Sequence, residues 1–322
     1  MHNRMLDKGA DTITRICAQI QENEEVLIIT ETRYEAISDA IVRAVKKLHG
    51  LPTVMIMEAR NRDGEEPDQI IAAAMKASDV FLCIVSHSIT HTHAVKNATA
   101  AGSRGLVLTQ FHEDMLIHGG ITCDFVKAKE TCMAVAECLE NGHHIHLETA
   151  AGTNLTLEAE GRRGNALYGV VDPGMFSTIP TIEANVSPLE YTANGVIVAD
   201  ASIPYVGIGL LKEPVICTVE KGFITDIQGG EQAMILKEHL HNKQDPNVFN
   251  IAELGIGLNP RCSFIGWMLE DEGVYGSAHI GIGTSITLGG TVKAACHYDL
   301  IMKEATVSID GKRILDHGSV LV

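Results

Sequence analysis

The sequence lacks long apolar runs and paired cysteines. Its apolar stretches, such as Val26 to Ile29 and Val80 to Val85, are far shorter than the ~20 residues that span a bilayer. The N-terminus has no apolar secretory segment. The eight cysteines include no CxxC pair and have mostly apolar neighbours, which is typical of reduced thiols. We therefore expect a cytoplasmic protein without a membrane partner.

Positive charge is also scarce. The 322 residues include 25 Lys and Arg against 41 Asp and Glu, which gives a formal net charge of −16. No basic cluster with interleaved aromatics is present, so nucleic acid is an unfavourable partner and we expect a small-molecule substrate instead. The 15 histidines favour a metal site, because histidine is the commonest metal ligand.

A glycine-rich phosphate loop is missing as well. The first predicted strand is followed by Thr30-Glu31-Thr32-Arg33, and neither GxGxxG nor GxxxxGK[ST] stands there. Such loops supply the backbone cradle for pyrophosphate, so we expect no nucleotide cofactor and exclude a Rossmann oxidoreductase.

Up to residue 142 the pattern alternates between helix-like and strand-like segments. Continuous apolar runs, for example Val80 to Val85, are separated by amphipathic segments such as Ala36 to Leu48. This alternation is typical of a parallel sheet covered on both faces. We predict a doubly wound α/β domain over residues 1–142.

From residue 143 the pattern changes to short alternating stretches with many glycines. It predicts a mainly antiparallel β (α+β) domain over residues 143–322, with one helix near Glu231 to His241. The segment Thr306 to Ile314, with Asp310-Gly311 as its turn, predicts a closing hairpin. The expected class is therefore α/β, and the C-terminal domain is expected to bind the metal.

The strongest local signal is Cys296-His297-Tyr298-Asp299. Residues i and i+2 of a strand point to the same face, so His297 and Asp299 can converge on one metal ion. On an exposed strand the same two residues would be ordinary surface side chains.

Two further ligand-type side chains, Glu253 and His279, each lie in a glycine-spaced apolar strand. A buried carboxylate is costly unless it is paired or bound to a cation, so both residues are expected to have partners. A Glu–His hydrogen-bonded pair within the β domain is the simpler alternative. Glu183 is a fifth candidate, and it could equally be an ordinary loop carboxylate.

Part of the C-terminal half resembles the thermophilic metallo-aminopeptidase (leucyl aminopeptidase-like) family. The stretches that carry the resemblance are 179–188, 253–259, 279–283 and 297–302. The resemblance implies a two-domain fold, a dinuclear metal site and a homo-oligomer. The ligand positions that it implies are Glu183, Glu253, His279, His297 and Asp299. The tyrosine that this family has a few residues after the His279 position is replaced by Thr284-Ser285-Ile286-Thr287.

A second family is similar in the middle of the chain, over residues 219–230 and 245–261. This is the 2,5-dihydroxypyridine 5,6-dioxygenase family, whose members hold a single non-haem iron and cleave a pyridine ring. Its His-x-Asp ligand pair matches His297 and Asp299. Its remaining histidine ligand falls on the position of Glu253, and it has no histidine at the position of His279.

Ligand chemistry favours a metal-dependent hydrolase of a small amide, peptide-like or cyclic. One or two divalent transition metals (Zn, Mn, Co or Fe) would bind Glu253, His279, His297 and Asp299. A metal-activated water would attack the carbonyl, and Glu183 or Glu253 would carry the proton.

The alternative is a mononuclear Fe(II) ring-cleaving dioxygenase that acts on a hydroxylated N-heterocycle such as a dihydroxypyridine. Its 2-His-1-carboxylate set would be His279, His297 and Asp299. A non-catalytic binding protein is a third hypothesis, against which the presence of all five ligand-type residues argues.

Two other motifs have open roles. Thr90-His91-Thr92-His93 could present two histidines to a cleft, although capping of a helix by Thr92 is the favoured interpretation. Arg162-Arg163 could clamp a substrate carboxylate, although solvated loop charges are the favoured interpretation.

Overall fold

The computed structural model describes residues 2–90 and 92–322. His91, one of the two histidines considered for a cleft, lies outside the described residues. The helices of the described part are α1 (His2–Asp11), α2 (Glu35–Lys47), α3 (Gln69–Ala77), α4 (His93–Ala100), α5 (Glu113–Ile117), α6 (Phe125–Asn141), α7 (Glu231–Asn242) and α8 (Met268–Asp271).

The strands complete the secondary structure. In chain order they are β1 (Glu25–Thr30), β2 (Leu51–Ile56), β3 (Val80–Val85), β4 (Arg104–Thr109), β5 (His144–Glu148), β6 (Asn154–Glu158), β7 (Gly164–Leu167), β8 (Phe176–Thr178), β9 (Glu183–Val186), β10 (Asn194–Ala199), β11 (Ser202–Ile203), β12 (Gly209–Leu210), β13 (Val215–Glu220), β14 (Phe223–Gln228), β15 (Ile251–Gly257), β16 (Ala278–Gly283), β17 (His297–Met302), β18 (Thr306–Ile309), β19 (Lys312–Asp316) and β20 (Ser319–Val320).

The chain divides into two compact units. The first comprises Met1–Lys129 and Tyr168–Pro180, and the second comprises Glu130–Leu167 and Thr181–Val322. The domain boundary between residues 142 and 143 stays a prediction.

The first unit contains a parallel sheet of five strands in the order β2-β1-β3-β4-β8. Every residue of β3 and β4 is buried, because apolar side chains on both faces of these strands are covered. The α/β class is thereby confirmed. The short strand β8 pairs with β4 from Gly105↔Phe176 onward, and it was not predicted because three residues carry no periodic signal.

Helix α4 begins as its sequence predicts. The Thr92 hydroxyl accepts a hydrogen bond from the backbone N–H of Val95 at 3.3 Å, so this residue is the cap of the helix. His93, the first helical residue, is exposed.

The second unit contains two sheets whose strands pair antiparallel. One has eight strands in the order β14-β13-β10-β6-β5-β18-β19-β20, and the other has seven in the order β12-β11-β17-β16-β15-β9-β7. The predicted antiparallel C-terminal region is confirmed. Asp310 (φ 49°) and Gly311 (φ 80°) form the turn between β18 and β19, and both have the positive φ that a two-residue hairpin turn requires.

In the described part of the chain, no helix combines the length and the apolar character needed to cross a membrane.

Candidate metal centre

Five ligand-type side chains come from four neighbouring strands of the seven-stranded sheet. Strand β9 carries Glu183, β15 carries Glu253, β16 carries His279, and β17 carries His297 and Asp299. All five predicted site residues are therefore brought into one region. The pattern i, i+2 places His297 and Asp299 on the same face of β17.

Glycines make room for these side chains. Gly281 lies in register with Glu253 on one side and Asp299 on the other. A Cβ atom at Gly281 would stand 2.8 Å from the ring of His297 and from the Cβ atom of Glu253. A Cβ atom at Gly255 would stand 2.0 Å from Nε2 of His279. The glycine spacing of β15 and β16 is thus a steric requirement of the site.

The side chains form two groups that could hold a metal ion, and the groups share Glu253. One is Glu183, Glu253 and His279, and the other is Glu253, His297 and Asp299; within each group the donor atoms lie within 4.8 Å of one another. In the second group, His297 Nε2 is 2.9 Å from Glu253 Oε2 and 3.4 Å from Asp299 Oδ1.

The first group is equally compact. His279 Nε2 is 3.4 Å from Glu183 Oε2 and 3.9 Å from Glu253 Oε1. Asn185 Nδ2 donates to Glu183 Oε1 at 2.9 Å, which leaves Oε2 of the same carboxylate facing His279. Glu183, Glu253 and His279 are all buried.

The orientation of His297 suits metal binding. Its Nδ1 donates to the carbonyl oxygen of Thr284 at 2.8 Å, which fixes the ring with Nε2 facing the two carboxylates. Without a metal Nε2 carries a proton, and in the neutral ring that a metal requires Nε2 would carry the lone pair. Thr284 was not identified as part of the site, because a carbonyl oxygen in a loop leaves no signal in the sequence.

Burial and charge shift the pKa values at the centre. Burial alone would lower the pKa of His297, but Asp299 and Glu253 outweigh it and raise this pKa well above its usual value. Burial alone would raise the pKa of Asp299, but His297 holds it well below its usual range. Burial alone would raise the pKa of Glu253 too, but His279 and His297 lower it.

In the first group, the pKa of Glu183 is shifted in the opposite sense to those of Glu253 and Asp299. Burial raises the pKa of Glu183 to about 7 against the opposing charge of His279. Burial alone would lower the pKa of His279, but the carboxylates of Glu253 and Glu183 raise it to about 9. Near neutral pH, Glu183 is therefore able to exchange a proton.

Tyr205 and Glu272 adjoin Asp299 and were missed by the sequence analysis. The hydroxyl of Tyr205 is 2.6 Å from Asp299 Oδ2 and 3.0 Å from Glu272 Oε1. Burial and the charge of Asp299 raise the pKa of Glu272 well above its usual value, so a neutral Glu272 can donate a hydrogen bond. Neither residue has a spacing relative to His297 or Asp299 that the sequence could reveal.

Buried polar atoms that lack a hydrogen-bond partner indicate whether a cation fits between these side chains. Among the described residues, the buried atoms without a hydrogen-bond partner include Glu183 Oε2, His279 Nδ1 and Asp299 Oδ1. Buried polar atoms are almost always satisfied, so these two carboxylate oxygens, each 3.4 Å from a histidine nitrogen but without a hydrogen bond, have room to accept a cation. The nitrogen and oxygen donors present are those of a divalent transition-metal site.

The two arginines considered as a substrate clamp have different surroundings. Arg162 is not a solvated loop charge, since its side chain is only 11% exposed, and its guanidinium donates to Glu190 Oε2 and to the carbonyl oxygen of Gly289. Arg163 is exposed. The guanidinium of Arg162 therefore anchors the loop that contains Gly289.

Comparisons with known proteins bear on the function. A family profile described as 2,5-dihydroxypyridine 5,6-dioxygenase matches residues 12–322. The 2,5-dihydroxypyridine 5,6-dioxygenase of Pseudomonas putida KT2440 is 27% identical over 206 residues, which cover 60% of this chain and 58% of that protein. The chain thus aligns with less than two thirds of the length of this relative.

Two solved structures share the fold. The 2,5-dihydroxypyridine dioxygenase of Pseudomonas putida KT2440 has a TM-score of 0.84 at 20% identity and covers 99% of this chain and 98% of its own. Wild-type AmpT from Thermus thermophilus has a TM-score of 0.71 at 17% identity, with 100% of both chains covered. At these identities the likeness is one of fold.

The predicted hydrolysis of a small amide, and with it the aminopeptidase-like metallohydrolase class, is wrong. The family profile and the curated relative both indicate a ring-cleaving dioxygenase, and the similarity to that enzyme noted from the sequence is confirmed. The prediction relied on the number of carboxylates, but oxygen and nitrogen donors of this kind serve several metals and reactions. Because the family profile extends over all but the first eleven residues, the chain belongs to the 2,5-dihydroxypyridine 5,6-dioxygenase family.

Proposed function

We propose that this chain is an iron(II)-dependent dioxygenase that cleaves the ring of a hydroxylated N-heterocycle such as a dihydroxypyridine. The observation that carries the proposal is the convergence of Glu253, His297 and Asp299, whose donor atoms lie within 4.8 Å of one another in a member of this family. A His-x-Asp pair with one further donor leaves coordination positions open, which is what iron oxygenases require.

We place the ion at Glu253, His297 and Asp299, with His279 as a further proposed donor from the group that shares Glu253. Bound there, iron would supply the electron transfer to dioxygen that amino-acid side chains cannot provide. The carbonyl of Thr284 holds the ring of His297, and Gly281 leaves space for that ring. The count of one ion per chain is part of the proposal.

Glu183 is the proposed proton acceptor. A ring hydroxyl that binds a cation through its oxygen would give up its proton, and an acceptor with a pKa of about 7 takes a proton well near neutral pH. Both atoms of dioxygen enter the product, so this proton would return to it when the ring opens. Asn185 fixes Oε1 of Glu183 and leaves Oε2 as the atom that takes the proton. Without the ion, His279, with a pKa of about 9, holds its own proton and stabilises this carboxylate; as a donor to the ion, its ring would be neutral.

Cell location and assembly are part of the proposal too. The eight cysteines form no disulfide in the described part of the chain, which supports a reducing compartment such as the cytoplasm. A homo-oligomer is proposed from the resemblance to two-domain metalloenzymes.

The test is oxygen uptake by protein that is purified anaerobically and loaded with Fe(II). With 2,5-dihydroxypyridine we expect one molecule of oxygen to be consumed for each ring lost, as followed by an oxygen electrode and by the ring absorbance. His297→Ala should abolish uptake, whereas His146→Ala, on the eight-stranded sheet, should leave it unchanged. The proposal fails if the iron-loaded wild-type protein consumes no oxygen with any hydroxylated pyridine tried.

A further inference from the structure

Asp299 has two carboxylate oxygens with different surroundings. Oδ2 lies 2.6 Å from the hydroxyl of Tyr205. Oδ1 is buried, has no hydrogen-bond partner within the described residues, and lies 3.4 Å from His297 Nε2. One oxygen therefore has a protein partner, and the other faces the donor atoms of the metal centre.

The contact with Tyr205 has a fixed direction. An ionised carboxylate has no proton to give, so the phenol O–H donates and Oδ2 accepts. An O–H···O⁻ distance of 2.6 Å is that of a charge-assisted hydrogen bond, which is about twice as strong as a neutral one. Binding a metal through both oxygens of Asp299 would require this bond to break.

The ring of Tyr205 is itself held in place. It packs on the ring of Tyr298 with centroids 4.8 Å apart. The backbone N–H of Tyr205 donates to Ile203 at 2.8 Å, and its carbonyl accepts from Ile208 at 2.9 Å. The hydroxyl is thus presented to Asp299 from a short turn between β11 and β12.

We propose that Tyr205 is a positioning residue that keeps Asp299 bound to the metal through Oδ1 alone. A carboxylate held in this way occupies one coordination position instead of two, which leaves an additional position for substrate or oxygen. The inference rests on the proposed function in that it takes Asp299 as a metal ligand. It adds that Tyr205, which belongs to neither ligand group, helps to determine how many coordination positions Asp299 occupies.

The experiment compares Tyr205→Phe with Tyr298→Phe. Each variant removes one hydroxyl from the same aromatic pair, but the hydroxyl of Tyr298 is 3.0 Å from His239 Nε2, a side chain of helix α7. Binding of Mn²⁺, without substrate, is measured by titration calorimetry. Loss of a residue that orients a metal ligand typically lowers affinity about 10–100-fold, so we expect this loss in Tyr205→Phe and a change below about twofold in Tyr298→Phe.

Infrared difference spectra with ¹³C-labelled aspartate give a readout that a merely structural role would not change. When Mn²⁺ binds, the frequency difference between the antisymmetric and symmetric carboxylate stretches of Asp299 should be large in the wild-type protein and in Tyr298→Phe, as expected for ligation through one oxygen. In Tyr205→Phe this frequency difference should be smaller than in the wild-type protein. Equal splitting in all three proteins, or equal Mn²⁺ affinity of Tyr205→Phe and wild type, would overturn the proposal.

Two controls keep the outcomes separate. If Tyr205→Phe does not fold, the wild-type protein and Tyr298→Phe provide the test. Both should show a change in tyrosine absorbance when Mn²⁺ binds, because the cation draws charge from Asp299, to which the Tyr205 hydroxyl donates. No change in absorbance would overturn the proposal. If iron-loaded wild type consumes no oxygen but the Mn²⁺ results hold, the proposed function fails and the positioning role stands. If oxygen is consumed but Tyr205→Phe binds Mn²⁺ normally, only the positioning role fails.

Discussion

Glu253 on β15 and His297 on β17 are hydrogen bonded at 2.9 Å, although β16 lies between their strands. The contact is possible because the intervening position on β16 is Gly281, which has no side chain. Two neighbouring strands are about 4.8 Å apart, so side chains two strands apart seldom meet. The candidate metal centre therefore depends on a residue that would donate no ligand atom.

Gly281→Ala should weaken metal binding without removing any ligand. The new Cβ atom would stand 2.8 Å from both the ring of His297 and Glu253, so at least one of them must move. We expect Mn²⁺ affinity to fall about tenfold or more, as when an orienting partner is lost. Calorimetric titration measures the loss, and circular dichroism checks that the sheet remains. Unchanged affinity in a folded variant would contradict this view of Gly281.

The sequence predicts the fold class and part of the site for identifiable reasons. His297 and Asp299 are two residues apart on one strand, and local periodicity is visible without a structure. Glu253 and His279 were predicted because a charged or polar side chain inside an apolar, glycine-spaced run requires a partner. Each of these signals lies within a few consecutive residues.

The residues that the sequence did not reveal act over long distances or through the backbone. Tyr205 is 94 residues from Asp299 along the chain, and only the pairing of β11 with β17 brings them together. Thr284 contributes a carbonyl oxygen, which every residue type has. The reaction was misassigned because ligand types alone do not determine chemistry.

Two buried groups should make the stability of the metal-free protein depend on pH. The pKa of Glu183 is raised by burial from 4.5 to about 7, and that of His279 is raised from 6.5 to about 9 by the carboxylates that outweigh its burial. A raised pKa means that the folded state binds the proton more tightly. This stabilisation is present below the unfolded pKa and is lost as the pH rises through the folded value.

We therefore expect the free energy of unfolding, measured with urea in the presence of a chelator, to fall as the pH rises from about 5 to 9. The lowered pKa values of Glu253 and Asp299 do not oppose this trend, because their contributions are lost only at more acidic pH. Glu183→Gln should remove the part of the decrease below pH 7. A wild-type stability that stays constant over this window would be inconsistent with the assignment.

Arg162 should contribute to stability and not to substrate binding. Its side chain is 11% exposed and pairs with Glu190, which is 18% exposed and also accepts from Thr291. Arg162→Met leaves this carboxylate without its cation. We expect the free energy of unfolding to fall by about 2 kcal/mol, less than the 3–5 kcal/mol of a fully buried pair.

The neighbouring arginine provides a matched control for this substitution. Arg163 is exposed, so Arg163→Met should change the free energy of unfolding by no more than about 0.5 kcal/mol. The double variant Arg162→Met, Glu190→Gln should recover part of the loss, since no charge is then left unpaired. Urea titration measures all three variants. A larger effect on the KM of a substrate than on stability would favour the clamp instead.

Glu253 is the position at which this chain differs from the ligand pattern of its own family, where the resemblance implies histidine. Glu253→His should therefore keep a single iron and keep oxygen uptake, because a neutral imidazole is a good donor to Fe(II) beside His297 and Asp299. Glu253→Leu supplies no donor and should lose iron, with affinity lowered about 100-fold. Iron content after desalting and oxygen uptake with a dihydroxypyridine are the measurements.

Glu148→His, a matched exchange on the eight-stranded sheet, should change neither the iron content nor the oxygen uptake. If Glu253→His loses iron as completely as Glu253→Leu does, the negative charge of Glu253 is essential, and the centre of this chain then differs from that of a histidine-ligated dioxygenase.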